Sequence, residues 1–356
     1  MILVSFIVPV YNQEAFVRKC LESITNQGID SDSYEIIIVN DCSTDTSLSI
    51  CKKFADEKEN INILIIDKQQ NEGIEKARHS GYLVAKGRYI AHVDSDDFLE
   101  PNIYGRMLEK AEEYDADYVE CNSYRYIGNK FFHRRFTREQ KVWGLITQPD
   151  LFEKYYISFF GINILNVNVW GKLYRKSTLD EAKLQPSGYK MGEDLIYNLK
   201  IFPFLKKIYI MNDIGYNYRW GGMTSGFNPS LYSDLRRMYV FKIEQAMEHN
   251  YQRAILPCNI ELKNILRSEI SQRISYKIET SEQTIKFIEQ ELETPIWLKI
   301  IDSIKSSQYS QNDIWPEIIS HDAAGVYDFC NNIVKQNRLK SRLKHFAGIV
   351  INKILC

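Results

Sequence analysis

The sequence lacks most of the features that assign a protein quickly. Its seven cysteines (Cys20, Cys42, Cys51, Cys121, Cys258, Cys330 and Cys356) include no C-x-x-C pair. That excludes a zinc ribbon or a dithiol redox motif, and reads as buried, reduced thiols in a cytosolic protein. No run of about 18 apolar residues occurs, so no membrane-spanning helix is expected. The apolar N-terminus has neither a basic flank nor a small-residue cleavage site, and reads as a strand, not a secretion signal. Neither sign of charge dominates: 45 Lys and Arg against 46 Asp and Glu give a net charge of −1. A surface built to neutralise nucleic-acid phosphates is therefore not expected. No G-x-G-x-x-G follows the first apolar run and no G-x-x-x-x-G-K-[ST] occurs, so neither a dehydrogenase-type dinucleotide fold nor a P-loop is supported. Internal repeats and low-complexity segments are also missing.

What remains is an ordinary globular composition, 44% hydrophobic and 26% charged. The 356 residues are enough for two domains, or for one large domain with an appendix. The first half alternates apolar runs with helical spacing. Residues 4–10, 35–39, 61–66 and 89–93 are short apolar runs, the pattern of strands buried on both faces. Between them, residues 14–26, the stretch up to about Lys58, and 71–85 carry apolar residues at helical intervals. A further helix is expected to Tyr114 and a fifth strand at 117–124. Alternation of this kind predicts an α/β fold with a mostly parallel sheet flanked by helices. Ligands of such sheets bind beyond the carboxyl ends of the strands, and Tyr11-Asn12, Asp41 and Asp94 to Asp97 fall at those ends.

Asp94-x-Asp96-Asp97 carries the strongest chemistry. Alternation along an extended chain points Asp94 and Asp96 the same way, and two hard oxygen donors suit Mg²⁺ or Mn²⁺ bound together with substrate phosphates. The same acids also suit the positive end of the helix that follows Pro101.

At this point the sequence becomes recognisable. Val-Ser-Phe-Ile-Val-Pro-Val-Tyr-Asn (4–12), Ile-Val-Asn-Asp-Cys-Ser-Thr-Asp (38–45), Asn-Glu-Gly-Ile-Glu-Lys-Ala-Arg (71–78), Gly-Arg-Tyr-Ile-Ala-His-Val-Asp-Ser-Asp-Asp (87–97) and Gly-Glu-Asp (192–194) occur in that order. Together they resemble glycosyltransferase family 2 of the bacterial polysaccharide type. The resemblance covers 1–226 and implies an inverting enzyme with the GT-A nucleotide-sugar-binding fold. It implies a hexosyl or N-acetylhexosaminyl transfer from a nucleotide donor, UDP-linked, to a glycan or lipid-linked acceptor hydroxyl at the cytoplasmic face of the cell membrane. It also implies Mn²⁺ or Mg²⁺ as cofactor.

By the same resemblance Tyr11 lines the uracil pocket with Pro9 and Val10, and Asp41 hydrogen-bonds the uracil. The family's usual pair of aspartates is Asn40-Asp41 here, so Asp41 carries that contact alone. Arg78 lies near the nucleotide, where a planar cation suits phosphate or base edges. Asp94 and Ser95 contact the nucleotide sugar, Asp96 ligates the metal, and Asp194 is the general base with Glu193 beside it at the acceptor site. Glu193-Asp194 also reads as an acidic pair opening a helix. Trp170 is either an acceptor wall or a core tryptophan. Arg219 reaches the diphosphate or makes a surface salt bridge. The glycines after it (Trp220-Gly221-Gly222-Met223-Thr224-Ser225) suit a lid. His92 and Cys42 read as packing.

Two other functions are open. A metal-dependent nucleotidyltransferase needs a Gly-rich basic loop after the first strand, which Pro9-Val10-Tyr11-Asn12-Gln13-Glu14 is not. A non-catalytic nucleotide-binding scaffold has no need of Asp41, Asp94, Asp96 and Asp194 together.

Residues 227–356 read as a helical region, with helices at 231–250, after an interruption at Pro257 to about Thr280, and at 281–293, 295–306 and 322–334. From Asn331 onward there are six basic residues (Lys335, Arg338, Lys340, Arg342, Lys344, Lys353) and no acidic one, with apolar residues interleaved. Such a segment suits an anionic membrane surface, packing on the domain, or a homodimer contact.

Overall fold

A computed structural model describes residues 1–127, 130–135, 143–160, 167–189, 191–219, 228–304 and 313–354, with side chains omitted at 126–135, 152, 154, 157, 158 and 340–354. It divides into two compact units. The first comprises Met1–Gly226 and Glu244–Ala254; the second comprises Phe227–Ile243 and Ile255–Cys356.

The first unit opens as the apolar runs predict, with β1 (Val4–Val10), α1 (Val17–Ile24), β2 (Tyr34–Asn40), α2 (Ser47–Glu57), β3 (Asn62–Asp67), α3 (Ile74–Val84) and β4 (Tyr89–His92). It continues through β5 (Phe98–Leu99), α4 (Ile103–Glu113), β6 (Tyr118–Ile127), β7 (Lys130–Arg135), β8 (Gly144–Thr147), β9 (Lys172–Arg175), α5 (Lys176–Ala182), α6 (Glu193–Ile201) and β10 (Lys207–Arg219). The described strands form one sheet in the order β3-β2-β1-β4-β9-β6-β10-β5, with β7 on β6 and β8 on β10. β3, β2, β1 and β4 are parallel. β9 then enters antiparallel between β4 and β6, so the sheet is parallel in one half and mixed in the other.

Alternation sorts β1 between two layers. Val4, Phe6, Val8 and Val10 point into a core with Cys20 and Leu21 of α1, Phe54 of α2 and Tyr104 of α4. Ile7 points to the other face, beneath α3. Gly81 permits that approach, since a Cβ there would stand 2.6 Å from Ile7 Cγ2.

The two central strands part at the site end. The Val93 N–H donates to the Ile7 carbonyl at 3.0 Å, and Ile7↔His92 is the last β1–β4 pair. Pro9, two residues on, faces the same side beyond that last pair, so its missing N–H costs no ladder bond. This parting between β1 and β4 is where strand order reverses, the place for a ligand crevice in an open α/β sheet.

The second unit is helical, with most of α7 (Leu231–Glu248), then α8 (Gln252–Tyr276), α9 (Ser281–Leu292), α10 (Pro295–Ser303), α11 (Trp315–Ile319) and α12 (Ala323–Ile354). Its core gathers Leu262, Leu266, Ile288, Trp297, Trp315 and Val326. A capping box, with Thr280 accepting the Gln283 N–H and Gln283 accepting the Thr280 N–H, starts α9. Two expectations are corrected. Pro257 does not interrupt the helix: it lies inside α8, and the break falls at Asn250, whose φ of 57° ends α7. The terminal basic segment is no separate element either, because α12 runs unbroken through 323–354.

Candidate active site

The site is built at the carboxyl ends of β1, β2 and β4. Short polar side chains tie the first two loops together. Asn12 Oδ1 accepts the Thr44 N–H at 2.8 Å, and Ser47 Oγ accepts the Gln13 N–H at 2.7 Å. Glu14 Oε2 accepts both the N–H and the hydroxyl of Thr46, at 3.0 and 2.6 Å. Tyr11 is held at this rim 45% exposed. Its neighbours are not open in the same way: Val10 belongs to the core and Pro9 is a buried position within β1. They shape the floor under Tyr11 and offer no free side chain.

Asp41 is buried at the end of β2. Its carboxylate accepts the N–H groups of Glu72 and Gly73, the latter at 2.8 Å, and Lys68 Nζ lies 3.5 Å away. It thereby fixes the turn that opens α3. Asn40 donates to Asp67 at 2.7 Å, a strand-end clasp that explains an amide at this position.

α3 carries Arg78 into the crevice. Its guanidinium, with the side chain 7% exposed, donates to Asp94 Oδ1 at 2.6 Å and to Asp194 Oδ1 at 2.8 Å. The acidic turn after β4 and the first turn of α6 therefore meet on one cation, although Asp194 lies 116 residues from Arg78. Asp194 Oδ2 also accepts the Val169 N–H at 3.3 Å. Burial pushes the Asp194 carboxyl above its ordinary value, and Arg78 opposes that shift. Burial and the neighbouring Asp194 charge raise Glu193 to about 7.

A raised carboxyl has a stability consequence. Folded Glu193 keeps its proton to higher pH than the unfolded chain does, so ionising it costs stability as pH rises from its ordinary 4.5 through about 7. Glu193→Gln is expected to be neutral at pH 5 and stabilising by about 1 kcal/mol at pH 8, read from thermal melts. Equal melting of both proteins at pH 8 would count against a raised Glu193 carboxyl.

Asp94 to Asp97 divide their work. The Asp94 N–H donates to the Tyr216 hydroxyl at 3.1 Å, and Ser95 is 5% exposed. Asp97, 1% exposed, accepts the Arg219 N–H at 2.7 Å, so it braces β10. Arg219 is further held by the Asp96 carbonyl at 3.0 Å and lies over the Phe16 ring at 4.0 Å. Its place is the inner rim beside Asp96. Burial, then the Asp94 charge, raise the Asp96 carboxyl to about 6. Among the described residues no group of three His, Cys, Asp or Glu side chains forms a ready-made metal cage. Asp96 beside Asp94 is a hard-oxygen set that fits a divalent cation completing its shell with nucleotide phosphates.

Trp170 is 6% exposed and stacks on Tyr216 and Tyr218, with ring centroids 4.4 and 5.3 Å apart. Its ring is spent on packing, which corrects the open acceptor wall. His92 is buried as expected, with Nε2 3.1 Å from the Tyr197 hydroxyl; burial lowers it to about 3, so it is neutral. The glycine-rich lid and Trp220 lie outside the described residues. Sequence reasoning missed Glu75, whose carboxylate accepts the N–H groups of Ser187 and Gly188 at 2.5 and 2.9 Å ahead of Asp194. It also missed Asn198 and Lys172, behind Asp194. Only Glu75, in a first helical turn, had a local signal.

Comparison with known proteins follows the same order of motifs. The sequence model of glycosyl transferase family 2 matches residues 5–182. A glycosyltransferase of Streptococcus pneumoniae, GlyA, is 33% identical over 61% of this chain, which spans only 30% of that protein. The uncharacterized glycosyltransferase EpsJ of Bacillus subtilis is 30% identical over 68% of this chain and 69% of its own length. Among solved structures, residues 1–349 of Staphylococcus aureus TarS in complex with UDP-GlcNAc superpose with a TM-score of 0.67 at 18% identity, covering 94% of this chain and 92% of that one. That likeness establishes the shared GT-A fold. Half the chain fits the family pattern, and one relative aligns across two thirds of both sequences. On both counts the chain belongs to glycosyl transferase family 2.

Proposed function

We propose that the chain transfers a sugar from a UDP-linked donor, with inversion, to a hydroxyl of a cell-surface glycan or lipid-linked acceptor. The observation that carries this reading is the meeting of Asp94 and Asp194 on the Arg78 guanidinium. Both acids bind one guanidinium, which supports reading Asp94 as the acid on the nucleotide side and Asp194 as the base beside it. Tyr11 and Asp41 take the uracil end, Asp94 and Ser95 the ribose, and Arg219 the diphosphate. Asp194 accepts the proton of the acceptor hydroxyl. The acceptor oxygen bonds to the anomeric carbon from the face opposite the nucleotide, and the bond to the diphosphate breaks with its electron pair leaving on UDP. Asp96, with Asp94 beside it, would hold a divalent cation, which would supply neutralisation of the charge on the leaving diphosphate. The TarS complex supports the donor class, since that protein holds UDP-GlcNAc on the same fold.

The test is UDP release from UDP-glucose, UDP-galactose and UDP-GlcNAc with Mn²⁺, followed by NMR of the product's anomeric configuration. An α-linked donor should give a β product. No release from any donor, or a retained configuration, overturns the reading.

We also place the end of α12 at an anionic membrane. No described helix is long and apolar enough to cross a bilayer, but residues 331–356 bear six basic and no acidic residues, each worth about 1 kcal/mol near such a surface. The full-length variant K340E/R342E/K344E/K353E should lose co-sedimentation with phosphatidylserine vesicles. Undiminished binding would remove the idea, and a monomer–dimer shift without vesicle binding would assign the segment to a dimer contact.

A further inference from the structure

Lys172 is an expensive residue for its position. It lies on β9, where its side chain is 0% exposed, and a buried ammonium costs stability unless it is compensated. A methionine or leucine would fill the same space without that cost. Among the described residues, three groups stand close to the charge. Lys172 Nζ donates to the Asn168 carbonyl, the Glu120 carboxylate is 4.0 Å away, and the Tyr118 ring centroid is 5.5 Å away.

The Asn168 carbonyl belongs to the same planar peptide group as the Val169 N–H, and that N–H donates to Asp194 Oδ2. A cation on the oxygen of a peptide group polarises its N–H and strengthens the bond that N–H makes. The turn is locked from a second side. Asn198 Nδ2 donates to the Val167 carbonyl at 2.8 Å, to the Asp194 carbonyl at 2.7 Å and to the Asn168 carbonyl at 3.4 Å.

We propose that Lys172 is a positioning residue for Asp194, acting through the Asn168–Val169 peptide group: the ammonium holds the carbonyl, and the amide of the same peptide holds the carboxylate. The proposal rests on the reading of Asp194 as the base. Among the described residues, the charged and titratable groups around Asp194 are Arg78 from α3, Asp94 from the turn after β4, Glu193 from α6, Lys172 from β9, and the buried phenols Tyr174 and Tyr197. Burial raises the Asp194 carboxyl, while Arg78, the Val169 N–H and Lys172 all pull it down. Removing Lys172 takes away one of these opposing contributions and loosens the amide that aims the carboxylate.

The test uses full-length Lys172→Met and UDP release from UDP-GlcNAc, with water as acceptor and saturating Mn²⁺, from pH 5 to 9. If UDP-GlcNAc does not turn over, the fastest of UDP-glucose and UDP-galactose takes its place. The acid limb of kcat should move up by about one pH unit. The variant would then be about tenfold slower at pH values below the wild-type midpoint and close to wild type at pH 9, with donor KM unchanged. If Lys172→Met does not fold, the double variant K172M/E120M removes the buried pair together, a replacement that apolar side chains tolerate, and the same shift is expected. An acid limb left in place in the folded variant, with kcat lowered equally at every pH or only donor KM raised, overturns the proposal. Asp194→Asn separates the two failures: turnover retained there refutes the base itself, whereas turnover lost there with an unmoved limb in the Lys172 variant refutes only the relay.

Discussion

Asp194→Asn should lower turnover by about 10³-fold and leave UDP binding within about twofold. The carboxylate has one oxygen on Arg78 at 2.8 Å and the other on the Val169 N–H at 3.3 Å. Both partners donate, so both suit the anion. Burial raises its proton affinity, which brings a carboxylate nearer to the range where a general base works at neutral pH. Asparagine keeps the shape but cannot accept a proton, and its NH₂ must face one of the two donors. The resulting mismatch costs about 1 kcal/mol of stability, too little to unfold the domain. UDP release measures the first quantity and titration calorimetry with UDP the second. Turnover within a few-fold of wild type would remove Asp194 from the chemistry.

Arg78→Met should be the most destabilising single change at the site, by about 3–5 kcal/mol near pH 8. The guanidinium is buried and is the cation shared by Asp94 and Asp194. Without it two carboxylates lose the cation they share, which leaves Asp194 only the weaker pull of Lys172 among the charges described above. The sign of the pH dependence follows. Asp194 already binds its proton more tightly in the folded state than in the unfolded chain. Losing the cation widens that gap, so the variant should regain stability as pH falls and lose it as pH rises. Thermal melts at pH 5 and pH 8 read this directly. Arg78→Lys should recover only part of the loss, since an ammonium cannot span two carboxylates as a guanidinium fork does. A variant as stable as wild type at pH 8 would show that Arg78 carries no such burden.

The parallel half of the sheet was legible because strands buried on both faces must be almost wholly apolar. Tyr34–Asn40, with Glu35 and Asn40 at its ends, still reads that way. β9 was not legible. Lys172 and Arg175 make it look like a surface segment, and its pairing partners lie more than 50 residues upstream. Trp170 read equally as wall or core, and only the Tyr216 and Tyr218 rings decide the matter. The site acids were visible through their motifs. Their meeting on Arg78 was not, because no local pattern encodes a contact across 116 residues. Pro257 misled because an interior proline forfeits a helix hydrogen bond and clashes with the carbonyl four residues back, yet α8 continues through it and the turn at Asn250 supplies the break.

The insertion of β9 between β4 and β6 bears on how the first unit folds. A nascent chain that has emerged as far as β6 possesses β1 to β4 in register but has no strand to join β4 to β6. Both edges stay unpaired until residues 172–175 arrive and fill the gap. Pairing at that separation carries a large loop-closure cost and is slow relative to local structure. The end of the crevice formed by Tyr11 and Asp41 can therefore form early, while Asp194 waits for β9, which carries Lys172, and for α6, and Arg219 waits for β10. Catalytic competence is acquired last, and a ribosome-bound chain stopped before β9 is expected to expose two adhesive edges and no working site.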